Sequence, residues 1–159
     1  MDGWDEVIVF GSRSDDCSYR IRPSAYALLV DDQGRVAVVR TPEGTFLPGG
    51  GVEDDETPEM AVAREAVEEC GFILRLGPWV VRAIQFVYSV KEATHFEKQS
   101  TFFEAEIDGE DFARLEADHE TLWLGFDEAR QLLSHESHRW ATEQWRLHTV
   151  TDELQTCRK

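Results

Sequence analysis

The chain has 159 residues, 32 of them Asp or Glu against 16 Lys or Arg, for a formal charge of −16. That length predicts one domain with one real core, and a hydrophobic fraction of 42% with five Trp and nine Phe argues against disorder. So acidic a surface repels nucleic-acid backbone and anionic lipid, and neither stable nucleic-acid binding nor membrane association is expected.

In chain order, residues 1–20 form an extension outside the main block. Its opening, MDGWDE, has no basic stretch or long apolar run and does not read as a signal peptide. Val7 to Phe10 reads as a strand and Gly11 to Asp16 as a loop, with Ser12 and Ser14 as ordinary loop residues. Ala25 to Val30 and Val36 to Val39 are apolar and flank Asp31-Asp32-Gln33-Gly34, which predicts a hairpin bracketed by Pro23 and Pro42. Glu43 to Glu56 reads as a loop with a strand-like centre at Phe46-Leu47, followed by Pro48 and three glycines. A helix follows, with Thr57 as N-cap, Pro58 at its first position, Glu59 against the dipole and Gly71 as a left-handed exit. Val62, Ala66, Val67 and Cys70 form its apolar stripe. Trp79 to Val90 and Lys98 to Ile107 predict a long hairpin around a polar turn at Lys91 to Thr94. Leu122 to Leu124 is a short strand. Asp127 to Leu133 is a helix capped by Asp127, with Leu132 and Leu133 facing inward, and Ser137 to His148 is a second helix. The chain from about Thr151 is polar enough to fray. The pattern predicts an α/β domain over residues 21–150, helices on both faces of a sheet, with a tail over 151–159.

The charge is concentrated. Residues 43–72 hold nine acidic side chains and one base, Arg64, a net of −8, half of the total. Within that block Glu65, Glu68 and Glu69 stand at i, i+3 and i+4, on one face of the predicted helix. Three carboxylates so placed repel one another, and helix stability supplies no reason for them. A hard divalent cation does, since Mg²⁺ or Mn²⁺ takes oxygen ligands, and such sites often act beside phosphate. Glu56 is placed to tie down Arg64 or the glycine loop. Read as a charged helix face alone, the same residues would simply be solvated.

Residues 50–72, GGVEDDETPEMAVAREAVEECGF, resemble the full signature of the Nudix hydrolases. The fixed positions fall on Gly50, Glu56, Arg64, Glu65, Glu68, Glu69 and Gly71, with Ala66 and Phe72 at the apolar ones. The resemblance implies a Nudix-type α/β/α sandwich with a mixed β-sheet and a loop-helix-loop catalytic motif. It further implies Mg²⁺-dependent hydrolysis of a pyrophosphate bond by activated water, with Mn²⁺ as substitute, in a nucleoside triphosphate or other nucleoside-diphosphate-linked small molecule. Glu68 and Glu69 become the leading metal ligands, Glu65 a ligand or the group that positions water, and the Gly49 carbonyl an additional ligand. Arg64, counted with the catalytic set, and Glu56 hold the loop by a salt bridge, and Gly50 and Gly71 support the motif. A further catalytic glutamate is expected outside the box, at Glu120 ahead of Trp123, with Glu97 and Glu116 as competitors.

Substrate phosphates call for positive charge besides the metal, and Arg22, Arg40 and Lys98 occupy strand positions that could face a cleft, Arg40 foremost. Phe86, Tyr88 and Phe96 could wall a base. His135 and His138 stand three apart on one helical face, yet no carboxylate–His–nucleophile set completes itself around them, so they read as structural. Cys17, Cys70 and Cys157 include no CxxC pair, which suits neither a disulfide framework nor a thiolate zinc site and predicts a reducing, cytoplasmic setting. The N-terminal strand could pair across a homodimer. The runner-up is a non-catalytic nucleotide- or metabolite-binding module of the same fold, against which stands the completeness of the carboxylate set.

Overall fold

The computed structural model describes Trp4 and residues 7–157, the side chains of Val150 and Thr151 aside; the reading of MDGWDE otherwise falls outside the described residues. Strands β1 (Ile8–Phe10), β2 (Tyr19–Leu28), β5 (Gly49–Gly51), β6 (Phe72–Ser89) and β7 (Thr94–Glu110) form a mixed sheet in the order β1-β6-β7-β2-β5. Strands β3 (Val36–Thr41), β4 (Gly44–Phe46) and β8 (Glu120–Leu124) form a second, antiparallel sheet in the order β4-β3-β8. Helices α1 (Pro58–Cys70), α2 (Phe126–Leu132) and α3 (Glu136–Thr156) complete the α/β architecture. No described helix is long and apolar enough to cross a membrane.

The apolar runs at 25–29 and 36–39 are continuous because both faces of their strands are buried. Ala25, Ala27, Leu29, Ala37 and Val39 pack with Ala61, Val62 and Cys70 of α1. The alternate residues Tyr26, Leu28, Val36 and Val38 pack with Leu133, Ala141 and Trp145 on the other side. Alanines predominate on the α1 side, which lets that helix sit close over β2 and β5. Its ends follow the sequence grammar: Thr57 accepts the Met60 N–H at 3.2 Å, and Gly71 leaves at φ 72 with its N–H on the Val67 carbonyl. A side chain at Gly71 would also strike the Phe112 ring.

Several elements depart from expectation. Residues 25–39 make no regular hairpin: a bridge at Val30 and Val36 joins two strands that diverge into different sheets, because β7 and β5 occupy both edges of β2. Pro23 lies inside β2, where its carbonyl accepts from Val52 just past the end of β5, so its missing N–H faces the spent ladder. The three glycines are a strand, β5, rather than loop. Strand β1 pairs within the chain, parallel to β6. In α2 the cap position is Gly125; Asp127 sits in the first turn, and Leu132 is exposed while Leu133 is buried. Helix α3 runs through the expected tail to Thr156, since the polar residues there include good helix formers and no Gly or Pro stops them.

Candidate active site

Four segments meet around the carboxylates of α1. Arg64 is the hub. Its Nε and Nη2 donate to the two oxygens of Glu56 at 2.8 and 3.0 Å, and its Nη1 donates to Glu65 at 3.0 Å and Glu68 at 3.1 Å. Nη2 also reaches the Gly51 carbonyl at 3.3 Å, which ties the helix to β5. The Arg64 contact holds the Glu56 carboxyl below its ordinary range and raises the guanidinium in turn.

Glu69 is 7% exposed and accepts the Gly49 N–H at 2.8 Å. Burial pushes its carboxyl well above the usual range, the charges of Glu65, Glu116 and Glu68 add to that, and the Gly49 N–H offsets part. Glu65 is raised as well, by burial first and by Glu68 and Glu116, with Arg64 opposing. The backbone of β5 accommodates both side chains. A Cβ on Gly50 would lie 2.7 Å from Glu65 Oε1, and one on Gly49, at φ +144, would lie 2.1 Å from the Ala25 carbonyl oxygen.

The fourth segment is the stretch between β7 and β8. It docks on the C-terminus of α1, where the Asp111 and Glu116 N–H groups donate to the carbonyls of Gly71 (2.8 Å) and Glu68 (2.9 Å). This places Glu116 near Glu65 and Glu69 and sets His119 Nε2 3.7 Å from Glu69 Oε2. Glu116, Asp118 and His119 offer ligand atoms within 4.8 Å of one another. Glu120, favoured on sequence, turns instead to Arg40 across the β3–β8 pair, both side chains more than half exposed. His119 was not singled out by the sequence, because its place depends on how a turn-rich stretch folds back on α1.

A cleft of about 700 Å³ runs from these carboxylates, lined by Glu65, Glu69, His119 and the β5 glycines on one side. Arg22, Tyr26, Phe96 and Lys98 line it from β2 and β7, Tyr88 to Glu92 from the β6–β7 hairpin, and Phe46 and His135 from the far side. Arg40, Glu120 and Phe86 are not among its lining residues; Phe86 packs edge-on against Tyr19. Glu97 approaches Arg13 instead. A second cleft of about 880 Å³, beside Asp31, Trp123 and Trp145, holds none of the α1 carboxylates, so size does not mark the site.

His138 closes the far side from behind. Its Nδ1 accepts the Leu47 N–H at 3.2 Å, and its buried ring packs on Tyr26, Phe102 and His135. Burial lowers both imidazoles, His135 to about 3, with Lys98 adding to the effect on each. They are neutral groups at neutral pH.

The donor chemistry suits a hard divalent cation. Glu65, Glu68, Glu69 and Glu116 present carboxylate oxygens, the most buried of them is raised by burial and then by its neighbours' charge, and Arg64 is shared among Glu56, Glu65 and Glu68 without reaching Glu69.

A fold of this topology with that box defines a class, and the comparisons agree. The NUDIX domain family model matches residues 20–146, and the chain belongs to the Nudix hydrolase family. It is similar to a NUDIX hydrolase from Nitrosomonas europaea, 19% identical with a TM-score of 0.66, over 81% of this chain and 90% of that one. At that identity the likeness shows the fold alone. It is also similar to a MutT NUDIX hydrolase from Burkholderia pseudomallei, 29% identical with a TM-score of 0.58, over 79% of this chain and 98% of that one. A MutT-like protein of Streptomyces ambofaciens is 50% identical over 50 residues, 30% of this chain and 32% of that protein. The match therefore spans about a third of that curated relative.

Proposed function

We propose that this Nudix hydrolase cleaves a pyrophosphate link in a nucleoside triphosphate or another small nucleoside-diphosphate-linked compound, with Mg²⁺ or Mn²⁺ as cofactor. The observation that carries the reading is the buried Glu69, bonded to the Gly49 N–H and surrounded by Glu65, Glu68 and Glu116 at one end of a cleft that also presents Arg22 and Lys98. Glu65, Glu68 and Glu69, with the Gly49 carbonyl, would hold the metal, which when bound supplies Lewis acidity at a phosphoryl oxygen and a water of lowered pKa. Glu116 takes the part that sequence reasoning gave to Glu120, because its stretch docks on α1 beside Glu68. Arg64 acts through others: by fixing Glu56, Glu65 and the Gly51 carbonyl it sets the distance between helix and glycine strand. Tyr88 and Phe46 offer the aromatic walls that a base requires, since the buried Phe96 ring is covered by Arg22. Arg40 is not needed in this reading.

Purified protein incubated with nucleotides, nucleotide sugars and dinucleoside polyphosphates in Mg²⁺ or Mn²⁺ should release phosphate products from at least one compound. Chelation should abolish turnover, and Glu69→Gln should cut it at least 100-fold, roughly 2.7 kcal/mol of transition-state stabilisation. Turnover that survives that substitution would remove Glu69 from the mechanism, and an inert panel would favour the binding module.

A further inference from the structure

Arg22 and Lys98 are direct partners in the parallel pairing of β2 with β7, and both line the cleft. Like charges side by side on a sheet destabilise it, so the fold supplies no reason for the pair. The Arg22 guanidinium lies over the Phe96 ring, 5.0 Å from its centroid, and against bare backbone, since a Cβ on Gly51 would stand 2.7 Å from its Nε. Gly51 is also the residue whose carbonyl accepts from Arg64, so the Arg22 head is one glycine away from the carboxylate hub. Lys98 donates to the Tyr26 hydroxyl at 3.1 Å, and among the described residues no carboxylate lies within ion-pair distance of it. That is an unusual condition for an ammonium in a chain with twice as many acids as bases.

Arg22 does have a carboxylate. Glu92 accepts from its Nη1 with both oxygens, at 2.9 and 3.1 Å. Glu92 comes from the tip of the β6–β7 hairpin, where residues 90–93 are all exposed and Ala93 has a positive φ of 47. Little packing holds that tip, so the contact is easily exchanged. A carboxylate accepting from a guanidinium at this point has the charge and oxygen geometry that a phosphate would bring.

We propose that Arg22 and Lys98 form a phosphate subsite beside the carboxylate cluster, for a substrate phosphate other than the one attacked, and that Glu92 occupies it as an internal competitor until substrate arrives. The proposal rests on the pyrophosphatase reading and extends it: the substrate carries a phosphate beyond the metal, and the hairpin tip yields its place to that group. Arg22 and Lys98 are binding residues, and Glu92 sets how strongly they bind.

The test is calorimetric binding of the imido analogue of tripolyphosphate to the intact protein with Mg²⁺ present, at low ionic strength. Glu92→Gln should bind three- to tenfold tighter than wild type. Arg22→Gln and Lys98→Met should each bind at least tenfold more weakly. In Arg22→Gln the further change Glu92→Gln should have no effect, whereas a general gain from lost negative charge would persist there and would also appear in Glu128→Gln on α2. Equal affinity of wild type and Glu92→Gln, a Glu92→Gln gain that survives without Arg22, a matching gain in Glu128→Gln, or no binding at all overturns the proposal. The binding cycle uses no turnover, so an inert nucleotide panel with an intact cycle would sink the hydrolase reading alone. Hydrolysis with a failed cycle would sink the subsite alone.

Discussion

The two ends of the cleft place titratable groups at similar spacing and do opposite things with them. On α1, Glu69 is buried and Glu65 half-buried among other carboxylates; burial raises both carboxyls, and the charge of neighbouring carboxylates adds to it. At the start of α3, His135 and His138 are shielded as well, but His138 spends its Nδ1 on the Leu47 N–H and both rings pack against aromatic neighbours. His138 meets a hydrogen-bond partner within the chain, while Glu69 has one backbone N–H and three neighbouring carboxylates, and Arg64 is shared among Glu56, Glu65 and Glu68. A spacing of three or four residues locates a shared face; whether the partners on that face are internal separates architecture from chemistry.

The sharpest way to break the contrast is Gly50→Ala. The added methyl would fall 2.7 Å from Glu65 Oε1, the far end of a flexible side chain, at a backbone angle without strain. Turnover should fall at least tenfold, about 1.4 kcal/mol, while the denaturation midpoint barely moves. Loss of fold and activity together would show β5 to be architectural only.

The titration behaviour of the two ends should also differ in sign. The folded-state pKa values of the histidines lie below the unfolded value near 6.5, so the stability they contribute is fully present above pH 6.5 and is lost as pH falls towards 3. With saturating Mg²⁺, denaturant titrations should show stability declining below pH 6.5 by about 1.4 kcal/mol per pH unit per histidine at most, and His135→Phe should reduce that slope. Glu65 and Glu69 are raised, so their ionisation costs stability as pH climbs through their folded values, and the metal-free protein should regain some of it on mild acidification.

A smaller effect of the same origin is expected for Glu69→Gln without metal. Gln keeps the oxygen that accepts the Gly49 N–H and removes the buried charge, so stability at pH 7 should rise by on the order of 1 kcal/mol. Mg²⁺ should raise the melting temperature of wild type and not of this variant. The smallest effect belongs to Glu120→Gln. Its pair with Arg40 is open to solvent, so stability should change by less than about 0.5 kcal/mol and turnover by less than twofold. A 100-fold loss there would return Glu120 to the site and displace Glu116.

What could be read from residues alone tracks how local the determinant is. The caps of α1 and the shared face of Glu65, Glu68 and Glu69 depend on neighbours within a turn or two, and Thr57, Pro58 and Gly71 specify them. The apolar run of β2 was legible as a strand, but its partners were not, since pairing with β7 and β5 is decided over long sequence separations and excludes the nearby β3. Glu116, His119 and Glu120 lie within five residues in a turn-rich stretch, and backbone contacts with α1 decide which of them approach Glu69. Arg22 and Lys98 are separated by 75 intervening residues, and only the register makes them neighbours.

Strand β5 has a consequence for how the protein can diversify. Its three positions are pressed by Tyr26, Glu65 and Arg22 in turn, so a side chain at any of them would collide with strand backbone, the Glu65 carboxylate or the Arg22 guanidinium. That stretch cannot serve as a source of altered selectivity. The hairpin tip at residues 90–93 is exposed, and Val90, Lys91 and Glu92 line the same cleft. New substrate preferences would therefore arise there, with the glycine strand as the fixed edge against which they are measured.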